Sequence, residues 1–325
     1  MPVTINGSDG ITNASWTTGT RPSNPAAGQM GFNSETNALE FYDVGSDRWR
    51  SIIPFTLSAT GGSVSDISIG GALYRVHEFT STGTSTFEVV DGSGEVEYFL
   101  VAGGGAGSQA TSGAGGAGGV VRGSIPVAPG SYNILVGNGG AKGSGGRTLG
   151  ENGEDTRGFD ETAVGGGRGA GNTGSSGSPA LGGGSGGGGS QSQSGTDHFE
   201  PAGGSGIIGQ GNDGGDADVD DGGGGGGGAG EPGANSSDGG KGGDGLDFSD
   251  LFGSSVGVNG YLAGGGAGYG GGFSVGAPGG LGGGGEFALP GQPNTGGGGG
   301  AHINNSGQAD NGGGSGIVLI RYRIG

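Results

Sequence analysis

Apolar and polar positions alternate in short runs through the first 136 residues, which is the mark of half-buried β-strands. Tyr74-Arg75-Val76-His77-Glu78-Phe79 and Ser85-Thr86-Phe87-Glu88-Val89-Val90 read as strands of this kind. Val96 to Val101 is nearly continuous in apolar residues, as a central strand covered on both faces requires. Val120-Val121, Ile125-Pro126-Val127 and Tyr132 to Val136 follow. Upstream, short runs at Gly31-Phe32-Asn33 and Leu39-Glu40-Phe41-Tyr42 are separated by turn residues at Asn37-Ala38 and Gly45-Ser46, and Arg48 to Ile52 closes the unit. Residues 1–57 therefore predict a small meander of hairpins. No window carries a helical period. Apolar runs then vanish until Ile317 to Ile324, where Val318, Ile320, Tyr322 and Ile324 share one face. So apolar a strand needs a sheet, and Val96 to Val101 offers one. The stretch between becomes a long insertion anchored at both ends.

Composition gives that insertion its character. Of 98 Gly residues in 325, 84 fall within residues 103–316. Apolar residues are 29% of the chain, too few for a conventional core along its whole length. The glycines cluster in runs such as Gly222 to Gly228 and do not recur every third position, which excludes collagen. Two states suit such a block. One is a flexible spacer. The other is a bundle of three-residue-per-turn glycine helices whose N–H and C=O groups all point outward to neighbours. Larger side chains interrupt the runs at Asp155 to Val164, Gln191 to Pro201, Leu246 to Val258 and Glu286 to Pro293. Such interruptions favour short helices joined by turns. The expected fold class is all-β: a hairpin module over 1–57, and a β-sandwich of jelly-roll or TNF-like kind over 58–136 completed by 317–325. A bundle of polyglycine-II helices over 137–316 is inserted into it.

Charge and chemistry narrow the function. Residues 137–316 carry 19 Asp and Glu against 5 Lys and Arg, most of the formal net charge of −18. An acidic surface repels phosphate backbones, so no nucleic-acid partner is expected. The absence of Cys removes disulfides, thiolate metal sites and a Cys nucleophile. Neither a signal peptide nor an 18-residue apolar run is visible. GxGxxG recurs only as glycine density dictates. Gly183-Gly184-Ser185-Gly186-Gly187 satisfies GxSxG without a strand before it or a helix after it. No catalytic residue, and hence no enzyme, is expected. Gly242 to Asp250 resembles one nonapeptide of a calcium roll with Ser249 at its apolar position, and such a roll needs tandem copies. Asp216-Ala217-Asp218-Val219-Asp220 opens like an EF-hand loop, but Asp221 stands where Gly is required. No metal site and no cofactor are expected, beyond an adventitious Ca²⁺ at these acidic turns.

Three stretches resemble the glycine-rich tail-fibre proteins of bacteriophages. They are Gly19-Thr20-Arg21-Pro22 through Gly28-Gln29-Met30-Gly31-Phe32-Asn33 to Trp49-Arg50-Ser51-Ile52, Tyr98-Phe99-Leu100-Val101-Ala102-Gly103-Gly104-Gly105, and Gly313-Gly314-Ser315-Gly316-Ile317-Val318-Leu319-Ile320-Arg321-Tyr322. In that order they resemble a hairpin unit of virion fibres and the start and finish of a glycine-rich domain. The resemblance implies a virion location exposed to the medium, a homotrimeric fibre and attachment to the host. It leaves a capsid (head) fibre or decoration protein open. From composition, a secreted glycine-helix protein that binds ice or glycans is a further alternative.

Two groups of residues are expected to carry this function. Trp16, Phe32, Phe41, Tyr42 and Trp49 are too many large rings for so short a module to bury, which predicts oligomerisation through residues 1–57. The same region is expected to meet other tail or capsid proteins. Phe199, Phe248, Phe252 and Phe287, with Asp197, His198 and Asp250 as polar partners, sit in the insert segments. They are expected either to plug the end of the bundle or to meet a host-surface glycan or outer-membrane protein, at the end far from the N-terminus.

Overall fold

A computed structural model describes residues 14–36, 38–51, 57–108, 113–144, 148–172, 177–190, 202–218, 222–238, 240–269, 277–302 and 310–324. The chain divides into one unit of residues 1–56 with 324–325 and another of residues 57–323. The protein is all-β, with a single short α-helix among the described residues.

In the first unit, β1 (Ala14–Trp16), β2 (Met30–Asn33), β3 (Ala38–Asp43) and β4 (Arg48–Ser51) form one sheet in that order. β1 runs parallel to β2, and the other pairs are antiparallel. On one face the Trp16 ring lies over Gly31, where no Cβ fits, and packs against Trp49 with centroids 4.6 Å apart. The buried Glu40 carboxylate accepts from Trp16 Nε1 at 3.0 Å, Asn33 Nδ2 at 3.0 Å and Arg21 Nε at 2.9 Å. The Arg21 hydrogen bond outweighs the cost of burial and holds Glu40 below the usual carboxylate range. Trp16 is thus buried by its own module instead of being offered to a partner. Met30, Phe32, Leu39 and Phe41 alternate onto the opposite face.

The second unit contains two five-stranded sheets. Its first strands are β5 (Ser58–Thr60), β6 (Ser63–Ile69), β7 (Ala72–Phe79), β8 (Gly83–Asp91), β9 (Gly94–Val101), β10 (Val120–Val127) and β11 (Gly130–Val136). Within the glycine-rich stretch lie β12 (Thr156–Gly158), β13 (Glu161–Ala163), β14 (Gly171–Asn172), β15 (Gly177–Ser178), β16 (Leu246–Asp247), α1 (Ser249–Phe252) and β17 (Tyr261–Leu262). β18 (Ile317–Arg323) follows it. The first large sheet has the order β10-β9-β18-β7-β6, the second β13-β12-β11-β8-β5, and every pair is antiparallel. β14 pairs with β15, and β16 with β17, in small ladders.

β18 sits in the middle of its sheet, with Ile317 opposite Val101 and Val318 opposite Phe79. Alternation predicts one apolar face for this strand, but Ile317 to Tyr322 are all buried. Towards the second sheet, His77 meets Phe87 edge-on at 5.1 Å and Tyr322 at 5.7 Å, while Phe159 stacks on Tyr98 at 5.2 Å. His77 is fully buried and its Nδ1 lies 2.8 Å from the Gly61 carbonyl. A carbonyl only accepts, so Nδ1 carries the proton and Nε2 is left to accept from Tyr322 Oη at 3.4 Å. Burial lowers the His77 pKa. On the outer face, Ile317 and Leu319 join Phe99, Val76, Phe248, Phe252, Val256 and Leu262 in one cluster. Arg321 Nε donates to Glu97 at 2.8 Å and Nη1 to the Leu251 carbonyl at 2.7 Å, with its guanidinium over Tyr74 and Phe252. Residues 246–262 are therefore a cover for the first sheet.

The remaining glycine-rich segments run side by side and exchange backbone hydrogen bonds with a period of three. Gly113, Gly116 and Gly119 donate to Ala170, Gly167 and Val164. Ala114 and Ala117 donate to Gly224 and Gly227, and Gly115 and Gly118 to Gly299 and Gly296. The carbonyls of the same segment accept from residues 102–108, from Ser185 and Gly188, and from Gly266. One extended strand of small residues thus has six neighbours. A Cβ on Gly115, or on Gly226 of a neighbouring segment, would collide with a backbone carbonyl across the contact, so both positions require Gly.

Candidate functional site

The lattice starts at the sheets, where Ala102, Gly119 and Gly316 adjoin β9, β10 and β18. Six residues further out, the Ser108 carbonyl accepts from His302 N at 3.2 Å, and beyond Gly224 the Tyr269 carbonyl accepts from Gly223. His302 and Tyr269 consequently stand at the end of the lattice away from the sheets. Phe287 stands between them, with ring centroids 5.9 Å from Tyr269 and 6.0 Å from His302 and interplanar angles of 41° and 23°. All three side chains are half-buried. The turn that carries Phe287 is fixed by Leu289 N donating to the Glu286 carbonyl and Ala288 N to the Ala301 carbonyl, both at 2.9 Å, with Ala288 in the left-handed region at φ 64°. Leu289 and Glu286 beside it are exposed. A file of rings flanked by solvent suits contact with a partner surface through stacking and apolar burial.

A polar cleft of 330 Å³ lies at the same end of the lattice, lined by Ala202, Asp216, Ala217, Asp218, Asn235, Ser236 and Ser237. Asp216 links three segments: its Oδ1 accepts from Gly203 N at 2.9 Å, its N donates to Asn235 Oδ1 at 2.8 Å, and its carbonyl accepts from Ser236 N at 2.9 Å. Asp218 N donates to Ser236 Oγ at 2.6 Å. Elsewhere Asp155, Asp213 and Asp244 accept from the N–H of Gly165, Gly206 and Leu281. These carboxylates satisfy backbone donors at segment ends, as N-cap residues do for helices. Asp247 is held below the ordinary carboxylate range chiefly by the Ser249 backbone N–H. Among the described residues no group of three His, Asp or Glu converges to hold a metal ion. Ser185 of the GxSxG match is fully buried in the lattice and its hydroxyl has no hydrogen-bond partner among the described residues.

The expected receptor residues separate. Phe287 stands at the distal end, together with Tyr269 and His302, which the sequence reading passed over. Phe248 and Phe252, expected at an exposed tip, are instead 1% and 2% exposed, with Phe99 edge-on to both rings at 5.6 and 4.8 Å. Phe248 is the N-cap of α1 and Phe252 its last residue, so one helical turn brings both rings onto the side that faces the first sheet. Asp250 is exposed on the same helix, over the first sheet and away from the distal end. Asp197, His198 and Phe199 lie outside the described residues. Of the expected oligomerisation residues, Trp16, Tyr42 and Trp49 pack together edge-on and tilted on one face of the N-terminal sheet, while Phe32 and Phe41 occupy the other.

A family model described as a glycine-rich domain matches residues 80–323, which takes in the lattice and every strand from β8 to β18, while β5, β6 and β7 precede it. Comparison with curated proteins finds no match.

Proposed function

We propose that this chain, which belongs to the glycine-rich domain family, is a bacteriophage tail-fibre adhesin that attaches the virion to its host. In this reading the two large sheets are a β-sandwich of jelly-roll or TNF-like kind, and the lattice is a bundle of polyglycine-II helices. The three-residue period and the six neighbours of residues 113–119 support the second assignment. The protein is a homotrimer joined through residues 1–57, carried on the virion, and without catalytic activity.

One observation carries the adhesive reading. The lattice spends its backbone groups on internal hydrogen bonds and buries most of its small side chains, while Tyr269, Phe287 and His302 gather at the end away from the sheets. Rings gathered at one end of a hydrogen-bonded scaffold place recognition at that end. The partner is a host-surface glycan or outer-membrane protein, with the acidic block disfavouring an anionic one. The doubly substituted chain Tyr269→Ser/Phe287→Ser should fold and assemble as the parent does, yet lose adsorption to host cells by at least tenfold. Unchanged adsorption would return the rings to a plugging role. An antibody to the chain should decorate an appendage of purified particles in electron micrographs; particles that bind none would remove the virion assignment.

A further inference from the structure

We propose that copies of this chain associate through one face of the N-terminal sheet, the face that carries Met30, Phe32, Leu39 and Phe41. The proposal rests on the oligomeric reading above and assigns its surface. The opposite face is complete in itself. Trp16 covers Gly31 and packs on Trp49, Trp49 lies 5.7 Å from Tyr42, and Glu40 has three side chains donating to it. The open face consists of the cross-strand pairs Met30–Phe41 and Phe32–Leu39, with Met30 46% exposed and the other three half-buried. An ion pair between Asp43 and Arg50 at 2.6 Å borders it. A four-stranded sheet of this size needs its apolar face covered to be stable.

Charge identifies the occupant as a second copy. Residues 1–57 carry 5 acidic and 3 basic residues, a net of −2, so a net of −16 lies in the rest of the chain. Copies that approached through the rest would bring strongly like-charged surfaces together. Copies that meet at the module bring together nearly neutral ones. The rim of the open face also offers both signs, so Arg50 of one copy can face Asp43 of the next. Apolar centre and mixed rim is the anatomy of a protein interface.

The chain has no Cys, so a single introduced thiol reports proximity cleanly. Met30→Cys in the full chain should give covalent dimers under mild oxidation at micromolar concentration. Val44→Cys, 58% exposed in the β3–β4 turn, should not. The variant Phe32→Ser/Phe41→Ser should weaken association at least tenfold by sedimentation, while the emission of Trp16 and Trp49 on the other face stays that of the folded module. If that variant unfolds, the Met30→Cys result decides alone. A parent chain that sediments as an oligomer while Met30→Cys does not cross-link overturns the assigned face and leaves the oligomer standing. A parent chain that sediments as a monomer overturns both.

Discussion

Replacing Gly115 with Ala separates an ordered lattice from a flexible spacer by its effect on stability. In a flexible segment the substitution leaves stability nearly unchanged, because it restricts the folded and the unfolded chain alike. In the lattice, an added Cβ at Gly115 falls on the carbonyl of Gly105 and the backbone of Ala106, neither of which is a movable side-chain end. The two segments must part. Four hydrogen bonds are at risk: Gly115 N to Gly299 O at 2.8 Å, Gly266 N to Gly115 O at 3.0 Å, Gly105 N to Gly116 O at 2.8 Å and Gly116 N to Gly167 O at 2.8 Å. At about 0.5–1.5 kcal/mol each, loss of half of them with an overpacking cost of about 1–3 kcal/mol gives a destabilisation of roughly 2–6 kcal/mol. Scanning calorimetry of the full chain should show the transition of the larger unit lowered by about 10 °C. A transition that rises or stays put refutes the ordered lattice.

Four further outcomes follow from the same coordinates. Phe252→Ala should destabilise the larger unit by about 3–5 kcal/mol, as a buried ring lost from a core does, read by denaturant unfolding. Arg321→Met should cost about 1.5–3 kcal/mol, the worth of charge-assisted hydrogen bonds; it removes the donors to Glu97 and to the Leu251 carbonyl, and amide exchange should rise selectively over 246–262. His77 has a folded pKa below its unfolded value of 6.5, so the unfolded chain binds the proton first. Its contribution is fully present above pH 6.5 and is lost as pH falls towards the lowered folded value; His77→Phe should flatten the calorimetric stability profile over that interval. Removing residues 317–325 should leave the sheets insoluble, and a soluble folded truncation would contradict the central role of β18.

The strands that the sequence made legible are those with a buried face. Residues 74–79, 85–90, 96–101 and 132–136 fall inside β7, β8, β9 and β11, because burial enforces the alternation that betrays them. β6 escaped notice because it is an edge strand with Ser63, Val64, Ser65 and Asp66 all exposed, so no apolar rhythm is imposed on it. In the sequence, the β12–β13 hairpin is only an insert of larger side chains between glycine runs. Its turn is Phe159-Asp160, with φ of 55° and 63°, a left-handed pair with no Asn-Gly or Gly to announce it. Phe159 is held there by the rings of Phe87, Tyr98 and Tyr132. The site was legible only in part, for a similar reason. Phe248 and Phe287 look alike as isolated rings among glycines, and only the tertiary path sends one into the sheet and the other to the distal end.

The position of β18 bears on how the protein is made. The middle strand of the first sheet pairs with β9 more than two hundred residues earlier, so the sheet stays split in two until the whole glycine-rich stretch has left the ribosome. Contacts of such sequence separation form late and slowly. During that wait β9 has an empty place beside it, and the glycine segments lack the scaffold that sets their register. A chain broken off anywhere in the glycine runs lacks the middle strand of its first sheet. Slow folding is the cost of placing the closing strand after the glycine-rich stretch.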